Sequence, residues 1–212
     1  GTRRPTEYGA RCAHKIGRRL SEYGITVVSG LAMGCDTAAH EGCVDVEGKA
    51  IAVLAHGLDL LYPVGNTGLA NRIVETGGCL VSEHPIGTTP KRHAFVARNR
   101  IQVGLSAGVI VVETGVEGGT MHTVRDAVAS NRPIACVEHP QQYHDAPETE
   151  GTRALLADGV GAPLRDRDSL LAFLHGIDVL AGRAGCEDAP HGESYEGSTG
   201  GQGSPDANGI ES

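Results

Sequence analysis

Residues 26–40 read TVVSGLAMGCDTAAH, and their types suit the binding of an anion. A short β-branched run ends at Ser29-Gly30, and a small-residue loop then opens a segment that reads as a helix at Asp36. Glycines at 30 and 34 let the backbone come close to a ligand, and the amides of Ser29, Gly30, Leu31, Ala32 and Gly34 would point at a negative group such as phosphate. Asp36 reads as the helix N-cap rather than an acid-base group. His40 falls one turn later on the same face and is expected to make a structural hydrogen bond.

Two further segments could meet the same ligand. Arg98, Asn99 and Arg100 stand at a helix start, where two guanidiniums flanking an amide can engage backbone phosphate and one unpaired base. One of the two arginines is equally suited to an internal salt bridge with Glu83 or Glu113, so one is assigned to ligand and one to the fold without distinguishing them. Gly118, Gly119 and Thr120 follow the apolar run 109–112 and again suit an anion at a helix N-terminus. Asn66 is placed to cap the helix after the loop 57–66. Tyr62 and Phe95 are the aromatic residues near these loops, which limits base stacking to a minor part.

The order and spacing of VSGLAMGCDTAAH, AVLAHGLDLLYPVGN (52–66), LVSEHPIG (80–87) and FVARNRIQVGLS (95–106) resemble those of the DNA-processing protein A (Smf) family over roughly residues 1–165. Gly1-Thr2-Arg3 is similar to the family's Gly-Ser-Arg turn, which makes Arg3 a phosphate contact by resemblance. The resemblance implies a Rossmann-like, doubly wound, mainly parallel α/β sheet that holds single-stranded DNA along its loop rim. It also implies a homodimer that hands the strand to a RecA-type recombinase during DNA uptake, in the cytoplasm, without catalysis, cofactor or metal. A strand precedes that Gly-Ser-Arg turn in the family. We therefore expect a fragment whose first, central strand is missing, leaving unpaired backbone groups on two neighbouring strands. The chain departs from the family at Val64-Gly65, where several members carry a lysine between the proline and Asn66. Nucleotide phosphoribohydrolases share the fold and have a P-G-G-x-G-T-x-x-E signature. Here EGGTMHTV supplies the glycines but places Thr123 at the acid, which removes the expected general acid or base. A nucleotide sensor without a DNA role is the third reading, because the same loops serve nucleotides.

The elements that must position these residues are legible as apolar runs at 26–29, 50–54, 79–82, 109–112 and 134–137, alternating with helical patterns. Pro5 opens an amphipathic helix that places Cys12, Ile16, Leu20 and Tyr23 on one stripe and ends at Gly24. A last short helix is expected over 168–174. The core is assigned to residues 1–178 and must be filled by aliphatic side chains, since the 212-residue chain has no Trp and two Phe. Residues 182–212 are Gly/Ser-rich and acidic and are expected to be disordered.

Net charge is −8, unevenly spread: residues 1–20 hold six basic side chains against one acidic, and residues 182–212 hold one against six. Such a balance argues against indiscriminate nucleic-acid binding while leaving room for a local basic face. The six cysteines form no C-x-x-C pair and the ten histidines no metal-binding spacing, which points to reduced thiols and to no metal. No apolar run has the length of a membrane span.

Overall fold

The computed structural model describes residues 1–177. The boundary of the expected acidic tail, and Cys186 with it, lies outside the described residues. Among the described residues six parallel strands alternate with eight α-helices. The strands are β1 (Val27–Ser29), β2 (Ala50–Leu54), β3 (Cys79–Ser82), β4 (Val109–Val111), β5 (Ile134–Val137) and β6 (Ala162–Leu164). They form two three-stranded sheets, β1-β2-β3 and β4-β5-β6, as expected of a doubly wound fold.

Among the described residues the facing edges of β1 and β4 are not hydrogen-bonded to each other. In a parallel strand the N–H and C=O of one residue point to the same side and alternate along the chain. Val27 N–H donates to Lys49 and Val109 N–H to Pro133, so the backbone groups of Val28 and Ile110 face the gap instead. Val28, Ile110, Val112, Ile16, Phe173 and Ile177 line a cavity of about 450 Å³ there.

Helices α1 (Glu7–Glu22) and α2 (Cys35–Val44) cross this region. Their backbones touch because a Cβ at Gly17 would overlap the carbonyl of Ala39, and one at Gly42 the carbonyl of His14. The expected stripe of α1 is partly buried, beside the buried Gly9, Ala13 and Gly17. Cys12 and Ile16 pack beside Ala13, Cys35 and Val112, and Leu20 reaches both the cluster of β1–β2 and that beneath Phe173. Pro5 lies before the helix rather than in its first turn: Thr6 is the N-cap, its hydroxyl accepting from Gly9 N–H at 3.0 Å. The remaining helices are α3 (Thr67–Glu75), α4 (Arg92–Ala97), α5 (Asn99–Gly104), α6 (Thr120–Ala129), α7 (Pro147–Ala157) and α8 (Arg167–Gly176). α8 answers to the expected C-terminal helix and is closed by a capping box between Asp166 and Ser169.

Each half-sheet has its own aliphatic core, with Leu31, Leu54 and Ile73 in one and Val103, Val124 and Leu155 in the other. The described cysteines are all free thiols, three of them buried. No helix of the described residues is long and apolar enough to cross a membrane.

Candidate functional site

The carboxyl ends of β1 and β4 open onto a cleft of about 860 Å³. One wall begins at the N-terminal segment, which is pinned on both sides. Thr2 N–H donates to Glu113 O at the end of β4 (2.8 Å), and Thr2 O accepts from Cys35 N–H at the start of α2 (3.1 Å). This places Arg3 in the cleft mouth, its guanidinium carbon 5.0 Å from the centroid of Phe95. Tyr62 stands beside Phe95 (centroids 5.9 Å apart), with His56 behind it (6.5 Å). A cation and the two rings expected near these loops thus form one continuous surface.

The two arginines of the RNR segment have different fates. Arg98 is 4% exposed and lies on the cleft floor, where Nη1 donates to Val53 O at 2.5 Å. Its Nε has no partner among the described residues, and burial pulls its pKa down against the opposing pull of the Asp36 carboxylate. Arg100 is exposed, outside the cleft lining, and ion-paired with Glu83. The internal partner foreseen for one arginine is therefore Arg100's. Between them Asn99 is buried on the cleft wall, its Nδ2 donating to Gly119 O at 3.4 Å.

The glycine-rich loop after β1 is closed by the chain itself. Asp36 is not the N-cap of α2; Gly34 is, and without a side-chain cap. The Asp36 carboxylate turns back to accept the amides of Gly30 at 3.2 Å and Ala32 at 3.3 Å. Desolvation opposes its ionisation, but the Arg98 guanidinium and the Ser29 hydroxyl help hold its pKa below the usual range. Of the loop residues expected to cradle phosphate, Ser29 and Ala32 line the cleft, while Gly30, Leu31 and Gly34 do not. Gly30 lies directly beneath the Arg98 guanidinium. Leu31 is fully buried with φ of 56°, and Gly34 (φ 86°) backs onto the carbonyl of Thr2.

Asn66 is also corrected. It occupies the N-cap position of α3 as expected, but its side chain makes no capping hydrogen bond and does not line the cleft; its Nδ2 donates to Leu31 O (2.9 Å) and Thr37 Oγ1 (2.8 Å), bracing the β1–α2 loop from behind. His40 makes no hydrogen bond among the described residues. It is wholly buried and its pKa is pushed down to about 4 by that burial, so it is neutral at physiological pH.

Gly118, Gly119 and Thr120 line the cleft at the start of α6, a helix whose N-cap Gly119 supplies no side-chain acceptor. No carbonyl of the described residues accepts the amides of Gly119 and Thr120, which leaves them for a ligand. Thr123, one turn on, also faces the cleft. Arg92 and Gln102 belong to the lining and were missed from sequence. The basic run Lys91-Arg92-His93 and the four-residue spacing from Arg98 to Gln102 were signals that could have found them. No group of titratable side chains among the described residues is arranged to hold a metal.

Comparison with known proteins identifies the family and the fold. The profile of the family described as DNA recombination-mediator protein A matches residues 1–175. Protein Smf of Synechocystis is 41% identical over 180 residues, covering 85% of this chain and 44% of its own length. Protein Smf of Escherichia coli is 38% identical over 195 residues, covering 92% and 50%. The chain thus spans about half the length of these relatives. Among solved structures, DNA processing protein A of Helicobacter pylori, described for its single-stranded DNA binding mode, superposes with a TM-score of 0.72 at 28% identity, covering 86% of this chain and 78% of that one. The Streptococcus pneumoniae protein gives 0.72 at 33% identity, covering 81% and 59%. A molybdenum cofactor binding protein from Rippkaea orientalis shares the fold alone, with a TM-score of 0.56 at 17% identity over 82% of this chain and 90% of that one. By the family match over residues 1–175 and by these identities, the chain belongs to the DNA recombination-mediator protein A family.

Proposed function

We propose that the cleft binds single-stranded DNA without chemistry on it. The observation that carries this reading is the joined surface of Arg3, Phe95 and Tyr62 across the cleft from the free amides of Gly119 and Thr120. Rings accept any base by stacking, while a guanidinium and helix-start amides suit the phosphates between them. The resemblance to the H. pylori protein supports the same ligand. Thr123 in the lining, where phosphoribohydrolases carry an acid, supports binding over nucleotide hydrolysis. We extend the proposal to a cytoplasmic homodimer that hands the strand to a RecA-type recombinase.

The test is a fluorescence-anisotropy titration with oligo-dT over a fourfold range of salt. Three or four phosphate contacts at a log-log slope of about −0.7 each predict a loss of about tenfold to fiftyfold. Arg3→Ala should weaken binding at unchanged melting temperature, and Arg100→Ala should change it far less. Salt-independent binding, or indifference to Arg3→Ala, would refute the reading.

A further inference from the structure

The β1–α2 loop has the form of a phosphate cradle, yet two of its amides, those of Gly30 and Ala32, are taken by the chain's own carboxylate. Gly30 and Ala32 donate to the Asp36 carboxylate, Cys35 N–H to Thr2 O at 3.1 Å, and Thr37 N–H to Ala32 O at 3.1 Å. The Arg98 guanidinium lies against Gly30 and gives Nη1 to Val53 O. Asp36 nevertheless lines the open cleft, so any anion entering there meets a carboxylate where a nucleotide-binding loop would offer amides. At the start of α6 the amides of Gly119 and Thr120 are unoccupied, and Arg3 stands at the mouth.

We propose that Asp36 is a specificity-determining residue, a built-in anion that fills the amide cradle and turns away inorganic phosphate and the dianionic phosphate of free nucleotides. The ligand's phosphates are then confined to Arg3 and the α6 start, where only a continuous strand gathers enough contacts. The inference rests on the single-stranded DNA reading for what is admitted, and on the loop geometry alone for what is refused. Like charges in a half-buried site repel strongly, which is why one carboxylate suffices. Replacing it with the isosteric amide keeps an acceptor for one loop N–H and removes the charge.

The experiment compares the unmodified chain with Asp36→Asn by calorimetric titration of inorganic phosphate and of AMP, and by anisotropy with oligo-dT at the same salt. The unmodified chain should bind oligo-dT and show no saturable binding of phosphate or AMP at millimolar concentration. Asp36→Asn should gain at least about tenfold in affinity for both small anions, a larger gain than any it makes for oligo-dT, whose phosphates are already held at Arg3 and the α6 start. If Asp36→Asn folds poorly, Asp36→Ser is melted against rising phosphate, which should raise its melting temperature by filling the vacated cradle. Failure of both variants to respond to phosphate, or tight binding of AMP by the unmodified chain, overturns the role of Asp36. Failure of the unmodified chain to bind oligo-dT, with the phosphate gain of Asp36→Asn intact, would instead overturn the DNA reading and leave the carboxylate's guard of the loop standing.

Discussion

The Glu113 carboxylate accepts both the backbone amide of Thr6 (2.8 Å) and its hydroxyl (2.5 Å), tying the end of β4 to the first turn of a helix 107 residues earlier. His139 adds its Nε2 at 3.2 Å from Oε1, and both side chains are excluded from solvent. Burial works against the charge on Glu113, but His139 and Thr6 outweigh it and lower the pKa. Because the folded value lies below the unfolded one, this link stabilises the protein above the ordinary carboxylate pKa and is lost as pH falls through the folded value. Glu113→Gln should cost about 2–4 kcal/mol in urea unfolding at pH 7, since it sets amide hydrogens against the donors of Thr6 and leaves His139 unpaired. A loss under about 0.5 kcal/mol would show that the tie is not structural.

Gly30 and Arg98 should behave as one unit. A Cβ at position 30 would overlap the guanidinium, so Gly30→Ala must push Arg98 off Val53 O. We expect Gly30→Ala and Arg98→Ala each to cost about 2 kcal/mol or more, with a coupling of about 1–3 kcal/mol in the double-mutant cycle. Additive losses would mean that the two residues do not share this contact.

His40 predicts acid sensitivity. Its pKa is about 4 when folded and about 6.5 when unfolded, so between these values the unfolded chain holds one more proton. Stability should therefore fall as pH drops from about 6.5 toward 4, by at most about 3 kcal/mol from this residue. His40→Gln should flatten that part of the profile, as read from denaturant midpoints at several pH values. An unchanged slope would assign the acid sensitivity elsewhere.

Amide exchange should map the gap between the half-sheets. The N–H groups of Val28 and Ile110 face away from their paired strands, whereas Val53 and Cys136 lie in strands paired on both sides. Val28 and Ile110 should exchange at least about tenfold faster than Val53 and Cys136. Equal protection would mean that the two edges are closed in solution.

Much of the fold was written in local patterns. Five apolar runs became β1 to β5 within a residue or two because strands covered on both faces must be continuously apolar, which composition alone reveals. β6 escaped notice because Ala162-Pro163-Leu164 is short and holds a proline, tolerated there at the sheet edge. The site was legible as a set of loops: Arg3, Arg98, Asn99 and Gly118–Thr120 do meet at one cleft, since parallel strands deliver their carboxyl-end loops to one rim. Sequence could not say which donors that rim leaves free. A carboxylate two positions after a glycine looks the same whether it caps a helix or turns back onto its own loop, and only the approach of Arg98, Thr2 and Val53 decided that Asp36 fills the cradle. Likewise, Arg98 and Arg100 are indistinguishable in the string RNR. Their burial against Val53 and their exposure beside Glu83 are set by contacts dozens of residues away, and those exist only once the chain has folded.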